Sequence, residues 1–224
     1  MVGEEEKARA TSLDWPFLED ECLGQPAYLV GGGPSLSNFN WELLRDRPNV
    51  IVVNRAFMDV PTAMAFFTED LQVVSLYAGT SSWREFQGVK IFHALAPEYE
   101  ALARELDPEI KFIRKVRRDK RWSKLFAEGL SSSSNSMIGA LNLADLLGCD
   151  PIYLLGVDCK SVGKGQANFH NDYEKAGFRR AGDHQYESFR NDFTWWAAPN
   201  LASQSCEFKS RFRGGLLAEG GPRR

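Results

Sequence analysis

Six short runs of β-branched, aromatic and aliphatic residues recur along this chain and leave few folds open. They are Ala27–Val30, Val50–Val53, Ala63–Thr68, Val89–Phe92, Ile110–Ile113 and Ile152–Val157. Most are apolar at successive rather than alternate positions, the pattern of strands covered on both faces. Helical spacing falls between or after them, at roughly Asn38–Leu44, Pro97–Leu106, Ser136–Leu147 and Tyr186–Ala197. Strands alternating with helices predict an α/β fold built on a doubly wound, mostly parallel, Rossmann-like sheet. Ligands of such sheets bind outside the carboxyl ends of the strands. The residues that follow each run are therefore the ones to read for function.

A chain of 224 residues suffices for one well-buried domain, or for a domain with a small lid. We divide it into an N-terminal extension (1–24), a single nucleotide-binding domain (25–198) with a lid at about 159–185, and a divergent or disordered tail (199–224). The net charge of -3 gives no global case for nucleic acid or an anionic membrane. No apolar stretch approaches the roughly 20 residues that span a bilayer. The acidic start Met1–Lys7 has no signal-like apolar core, so a cytoplasmic protein is expected. Cys22, Cys149, Cys159 and Cys206 are widely spaced, which predicts free thiols rather than a disulfide framework. No His or Cys cluster has zinc-ligand spacing, and no metal site is expected.

After the first strand comes Gly31-Gly32-Gly33-Pro34-Ser35, and after the second Asn54 and Arg55. Thr68, Glu69 and Asp70 follow the third, while Gly156 and Asp158 follow the last. Backbone N–H groups at a glycine turn, with a helix start behind them, suit an anion. The spacing matches neither the dinucleotide fingerprint nor a P-loop. A tight turn needing positive φ at one glycine explains the same residues without a ligand.

Leu130–Ser136 carries five serines and Asn135 ahead of the clearest helix. One or two of them are explained as helix caps, while the rest, with Ser134, Asn135 and Ser136 nearest the helix, read equally as a floppy serine loop or as donors to a phosphate or ribose at the helix N-terminus. Lys111–Lys124 holds eight basic residues and one acid, Asp119. It reads as a solvated basic segment, as an aromatic-flanked flap beside Trp122, or as a contact for nucleic acid phosphates. The stretch after Asp158 is rich in glycine and polar residues and contains Lys160, His170 and Tyr173, with His184 and Tyr186 beyond, a composition that predicts a lid.

The order of these motifs, "LVGGGPSL", "VVNRAF", a Ser/Asn-capped helix and "IYLLGVD", resembles the bacterial sialyltransferases of glycosyltransferase family 42 and their phage-encoded relatives. The motility-accessory-factor proteins and the 6-hydroxymethyl-dihydropterin pyrophosphokinases share a similar glycine-proline-serine turn. The resemblance covers roughly residues 26–193. It implies that Gly31, Gly32, Gly33, Ser35 and Asn54 bind a nucleotide, with Ser134, Asn135, Ser136 and Asp158 beside them. It further implies a lid histidine, His184 or else His170, as general base, with Tyr173, Tyr186 and Lys160 toward the donor phosphate. The chain departs from the sialyltransferases at Gly32, where they carry an asparagine, and in the tail from Pro199, which supplies no last strand. A partner covering the sheet edge, and with it a homo-oligomer, is one consequence.

Three functions follow as expectations. The first is a nucleotide-sugar-dependent glycosyltransferase without a metal or bound cofactor, acting on a glycan or small-molecule acceptor. The second is a magnesium-dependent pyrophosphokinase acting on a small heterocycle, with Glu69, Asp70 and Asp158 as the acids. The third is a non-catalytic nucleotide-binding module.

Overall fold

The computed structural model describes residues 15–94, 96–116, 122–131, 133, 135–159, 183–197, 199 and 201, with the backbone alone at 183, 184, 195 and 196. Seven strands form one sheet: β1 Ala27–Val30, β2 Val50–Val53, β3 Ala65–Thr68, β4 Val89–Ala94, β5 Lys111–Val116, β6 Leu130–Ser131 and β7 Ile152–Leu155. Their order is β6-β5-β4-β3-β2-β1-β7, and every neighbouring pair is parallel. The expected α/β, Rossmann-like architecture is therefore the fold.

The α-helices are α1 Leu71–Tyr77, α2 Ser81–Glu85, α3 Pro97–Leu106, α4 Ser136–Leu146 and α5 Asp183–Asn191, which runs into a π-helical turn at Asp192–Ala197. Side chains alternate between two cores, as a period of two requires. Leu29, Ile51, Val53, Phe67, Ile91 and Ile113 point to one face, under α4 and Phe193. Val30, Val52, Phe66, Phe92 and Phe112 point to the other, under Val73, Trp83 and Ala103 of α1, α2 and α3.

All eleven residues of α4 are buried, which explains why its sequence is apolar on every side. The chain around residues 17–24 wraps its far end. The N–H groups of Asp20, Cys22 and Gly24 donate to the carbonyls of Leu146, Leu147 and Gly148 at 2.8–2.9 Å, satisfying carbonyls that a helix end leaves open. The described part of the N-terminal extension is thus built into the domain.

Two expectations are corrected. No α-helix spans Asn38–Leu44; two 3₁₀ turns, Pro34–Leu36 and Trp41–Leu44, take its place. Pro34 opens the first turn and Asn40 caps the second, its side chain accepting from the Glu42 N–H. Each turn closes on a bond three residues back, Ser37 N–H to Pro34 O and Arg45 N–H to Glu42 O, which is 3₁₀ and not α-helical bonding. The basic segment is not one flap either: Lys111–Val116 is a sheet strand with Phe112 and Ile113 buried. Trp122 is buried in the core.

Strand β6 runs on into α4, which crosses back over one face to reach β7 beside β1. The connections from β1 and into β7 lie on opposite faces of the sheet. The crevice above their carboxyl ends is therefore the topological switch point, where a parallel sheet opens a binding site. No helix among the described residues is long and apolar enough to cross a membrane.

Candidate functional site

At that switch point lies a cleft of about 150 Å³. It brings together eight of the residues singled out from the sequence: Gly31, Gly32, Gly33, Asn54, Asn135, Ser136, Asp158 and Tyr186. Ser35 adjoins it without lining it. The backbone of His184 lies in the first turn of α5. Ser134, Lys160, His170 and Tyr173 lie outside the described residues.

The glycine turn owes its bareness to β7. Register places Val30 opposite Leu155, so Gly31 and Gly156 follow side by side. Gly31 N–H donates to Leu155 O and Gly33 N–H to Gly156 O, both at 2.8 Å. A Cβ on Gly33 would sit 2.5 Å from Gly156 O and also strike the Asp158 carboxylate. None of the three turn glycines has positive φ; the left-handed residues here are Gly156 at +65°, Asn54 at +56° and Cys159 at +48°. Close approach of two loops, rather than a left-handed turn, fixes glycine at Gly31 and Gly33. The turn's amides are correspondingly engaged: Ser35 N–H donates to Asp158 Oδ2 at 2.8 Å, and Pro34 has none. Gly32 N–H alone takes no partner among the described residues.

Asn54 stands at the end of β2, next to Thr68 at the end of β3, as the pairing of Val53 with Phe67 requires. Thr68 Oγ1 accepts from Asp70 N–H at 3.1 Å, so its single proton goes to Asn54 Oδ1 at 2.7 Å. That network orients the carboxamide. Oδ1 is taken and the NH₂ group is the donor left for the cleft. Left-handed backbone suits asparagine better than most residues.

The start of α4 supplies the next wall. Asn135 is its N-cap, with Oδ1 accepting from Met137 N–H at 3.1 Å; the capping reading of this residue holds. Ser136 Oγ accepts from Glu69 N–H at 3.2 Å, which leaves its hydroxyl proton to donate. Opposite, Tyr186, Phe189 and Phe193 form an aromatic wall, with the first two rings edge-on at 6.2 Å. These three positions recur on one side of the chain from α5 into the π-helical turn.

Cys159 also lines the cleft. Burial pushes its thiol up to about 11, with Arg190 opposing and the charges of Asp158 and Asp192 adding to the rise. The sulfur is a protonated wall group at neutral pH and no nucleophile.

Farther along the same rim lies a cluster that the sequence did not reveal as a unit. Glu69, after β3, uses both carboxylate oxygens: Oε1 meets His93 Nδ1 at 2.8 Å and Oε2 accepts from Lys115 Nζ at 2.6 Å. His93 Nε2 faces Leu130 O at 3.1 Å, and the ring is wholly buried. The available signal was register. Pairing of Thr68 with Phe92 and of His93 with Ile113 puts 69, 93 and 115 at neighbouring strand ends.

Among the described residues, the acids named for the pyrophosphokinase expectation are not gathered into a magnesium site. Glu69 has both carboxylate oxygens engaged, by His93 and Lys115, and Asp158 follows β7, on the other side of Asn54 in the strand order. No group of three or more His, Cys, Asp or Glu residues among the described residues could hold a metal ion. Compared with known proteins, the chain matches no family model and no curated protein.

Proposed function

We propose that this protein is a transferase that takes a nucleotide-activated sugar as donor, binds its nucleotide at the switch point of the sheet, and passes the sugar to an acceptor hydroxyl. The observation that carries this reading is Asn54. Its carboxamide is oriented by Thr68 so that an amide donor is presented to a cleft between a glycine turn and a buried helix start. Ser136 adds a hydroxyl donor beside it. Such neutral donors stabilise charge that develops on a departing phosphate oxygen.

The chemistry would run as a displacement. The acceptor oxygen bonds to the anomeric carbon of the sugar, the carbon–oxygen bond to the phosphate breaks, and the nucleotide leaves with that electron pair. A histidine takes the acceptor's proton; His184, on α5, and His170 are the proposed bases, since a near-neutral imidazole suits that transfer. Tyr173 and Lys160 are proposed on the phosphate side. The resemblance to family 42 sialyltransferases supports this assignment, while Gly32 in place of their asparagine argues for a different donor.

Calorimetry with CMP, CDP, UDP, GDP, AMP and ATP, each with and without magnesium, tests the reading. The expected result is magnesium-independent binding of at least one nucleotide, weakened in Asn54→Ala. Binding of ATP only with magnesium would replace it with the pyrophosphokinase. Loss of turnover in His184→Ala with binding retained would assign the base, and unchanged turnover would remove His184 from that role.

A further inference from the structure

The cleft is not symmetric in its chemistry. Among its described lining residues there is no lysine, arginine or histidine, and there is one carboxylate, Asp158. On the side of α4, Asn54 NH₂ and the Ser136 hydroxyl are donors. On the side of the glycine turn, the N–H groups of Gly31, Gly33 and Ser35 are already engaged, the last by Asp158 itself. The anion a glycine turn would ordinarily attract is here supplied by the protein. A phosphate placed against the turn would meet a fixed negative charge with few free amides to offset it.

Asp158 retains capacity of its own. A carboxylate has about four acceptor positions. Ser35 N–H uses one on Oδ2 and thereby fixes the group's orientation. Oδ1 takes no hydrogen bond among the described residues, and Asp158 is only half-buried on the cleft wall. An acceptor-only group, oriented and facing a cleft, selects a ligand that donates, and the donors of a nucleotide nearest its phosphate are the ribose hydroxyls.

Resting on the function proposed above, we infer that Asp158 reads a ribose hydroxyl. The nucleoside lies against the glycine turn and the aromatic wall, and its phosphate points to Asn54 and Ser136. The site thereby distinguishes ribonucleotides from their deoxy forms. A hydrogen bond to a charged group that is lost from a desolvated site weakens binding by roughly tenfold or more.

The test is calorimetric titration of the wild-type protein with CMP, UMP, AMP and GMP and with the 2′-deoxy and 3′-deoxy form of each. It is repeated on Asp158→Asn, whose amide oxygen can still accept from Ser35 N–H. For the ribonucleotide that binds, at least one deoxy form should bind roughly tenfold more weakly or worse to wild type. In Asp158→Asn that gap should shrink to within about threefold. Equal binding of the ribo and both deoxy forms to wild type overturns the inference and leaves the donor site standing. A gap that persists unchanged in Asp158→Asn assigns the hydroxyl contact elsewhere and also overturns it. If none of the four ribonucleotides or the di- and triphosphates binds, the donor reading itself fails, and this inference falls with it. The wild-type comparison needs no mutant to fold.

Discussion

Two polar clusters share the carboxyl rim of the sheet, and they differ in what they leave available. Around Glu69 every strong group is answered: Lys115 and His93 each meet one oxygen of the carboxylate, and the far nitrogen of His93 meets a carbonyl. Around Asn54 and Asp158 each side chain makes one bond that orients it and keeps another face toward a cleft. Both clusters arise from the same kind of sequence, a polar residue just past an apolar strand. Polarity at a strand end therefore does not mark a site; capacity left after the internal bonds are counted does.

The sharpest way to break that contrast is Glu69→Ala. It would leave Lys115 without its counter-charge and His93 Nδ1 without its partner, in a site where the two side chains are 12% and 0% exposed. Removing one partner of a buried ion pair costs about 3–5 kcal/mol, to be read from urea denaturation. Nucleotide affinity of the folded protein should stay within about threefold of wild type, because Ser136 is held by the Glu69 backbone and not by its carboxylate. A stable Glu69→Ala protein with lost binding would reverse the roles assigned to the two clusters.

On the cleft side, the expected stability effect comes from the backbone. Gly156→Ala puts a Cβ on a residue at φ +65°, 2.8 Å from Leu36 Cγ. Left-handed strain and overpacking together should cost about 2–4 kcal/mol, measured the same way. A small loss would mean that the β1 and β7 loops are not locked together, and that the glycine turn is free for another purpose.

Much of the frame was legible because two-sided burial writes itself into composition. The runs at Ala27–Val30 and Val50–Val53 match β1 and β2 residue for residue, and Pro97–Leu106 matches α3. The strand β6 was missed because two residues, Leu130 and Ser131, carry no periodicity. Short helices α1 and α2 escaped for the same reason, being seven and five residues long. Of the site, the gathering of Gly31–Gly33, Asn54, Ser136 and Asp158 was readable from strand order. What was not readable is that Asp158 would occupy the turn's amide, since Ser35 and Asp158 are 123 residues apart. Nor could composition tell an asparagine that caps a helix, Asn135, from one that lines the cleft with its Oδ1 held by Thr68, Asn54.

Asn54→Asp separates fold from function more finely. Aspartate also tolerates left-handed backbone and still accepts from Thr68, so stability should change little. It replaces the NH₂ donor with a negative charge, and nucleotide affinity should fall roughly tenfold or more by calorimetry. Unchanged affinity would place the ligand away from Asn54 and move the cleft into the same class as the Glu69 cluster.

The smallest expected effects test the same bookkeeping of partners away from the rim, in two buried aspartates that each accept from a tryptophan Nε1 at 2.7 Å. Burial alone would raise the Asp107 carboxyl, but Glu109 N–H, Lys90 at 3.0 Å and Trp83 together hold it below the usual range. Burial also raises Asp145; there Trp122 and Lys124, the latter 3.8 Å away, do not offset it, and Asp20 adds to the rise. The signs then oppose. A lowered folded pKa means that Asp107 stabilises the fold above about pH 4, the unfolded value, and loses that contribution as pH falls through its folded value. A raised one means that charged Asp145 weakens the fold at neutral pH and stops doing so as pH falls toward about 4. At pH 7, Asp107→Asn should lower the urea midpoint and Asp145→Asn should raise it, each by an amount worth about 1 kcal/mol. Both differences should fade in acid, the Asp145 one first as pH approaches 4 and the Asp107 one only below it. Shifts of the same sign at pH 7 would show that the shared tryptophan bond, and not the number of remaining partners, sets the energy of a buried carboxylate in this fold.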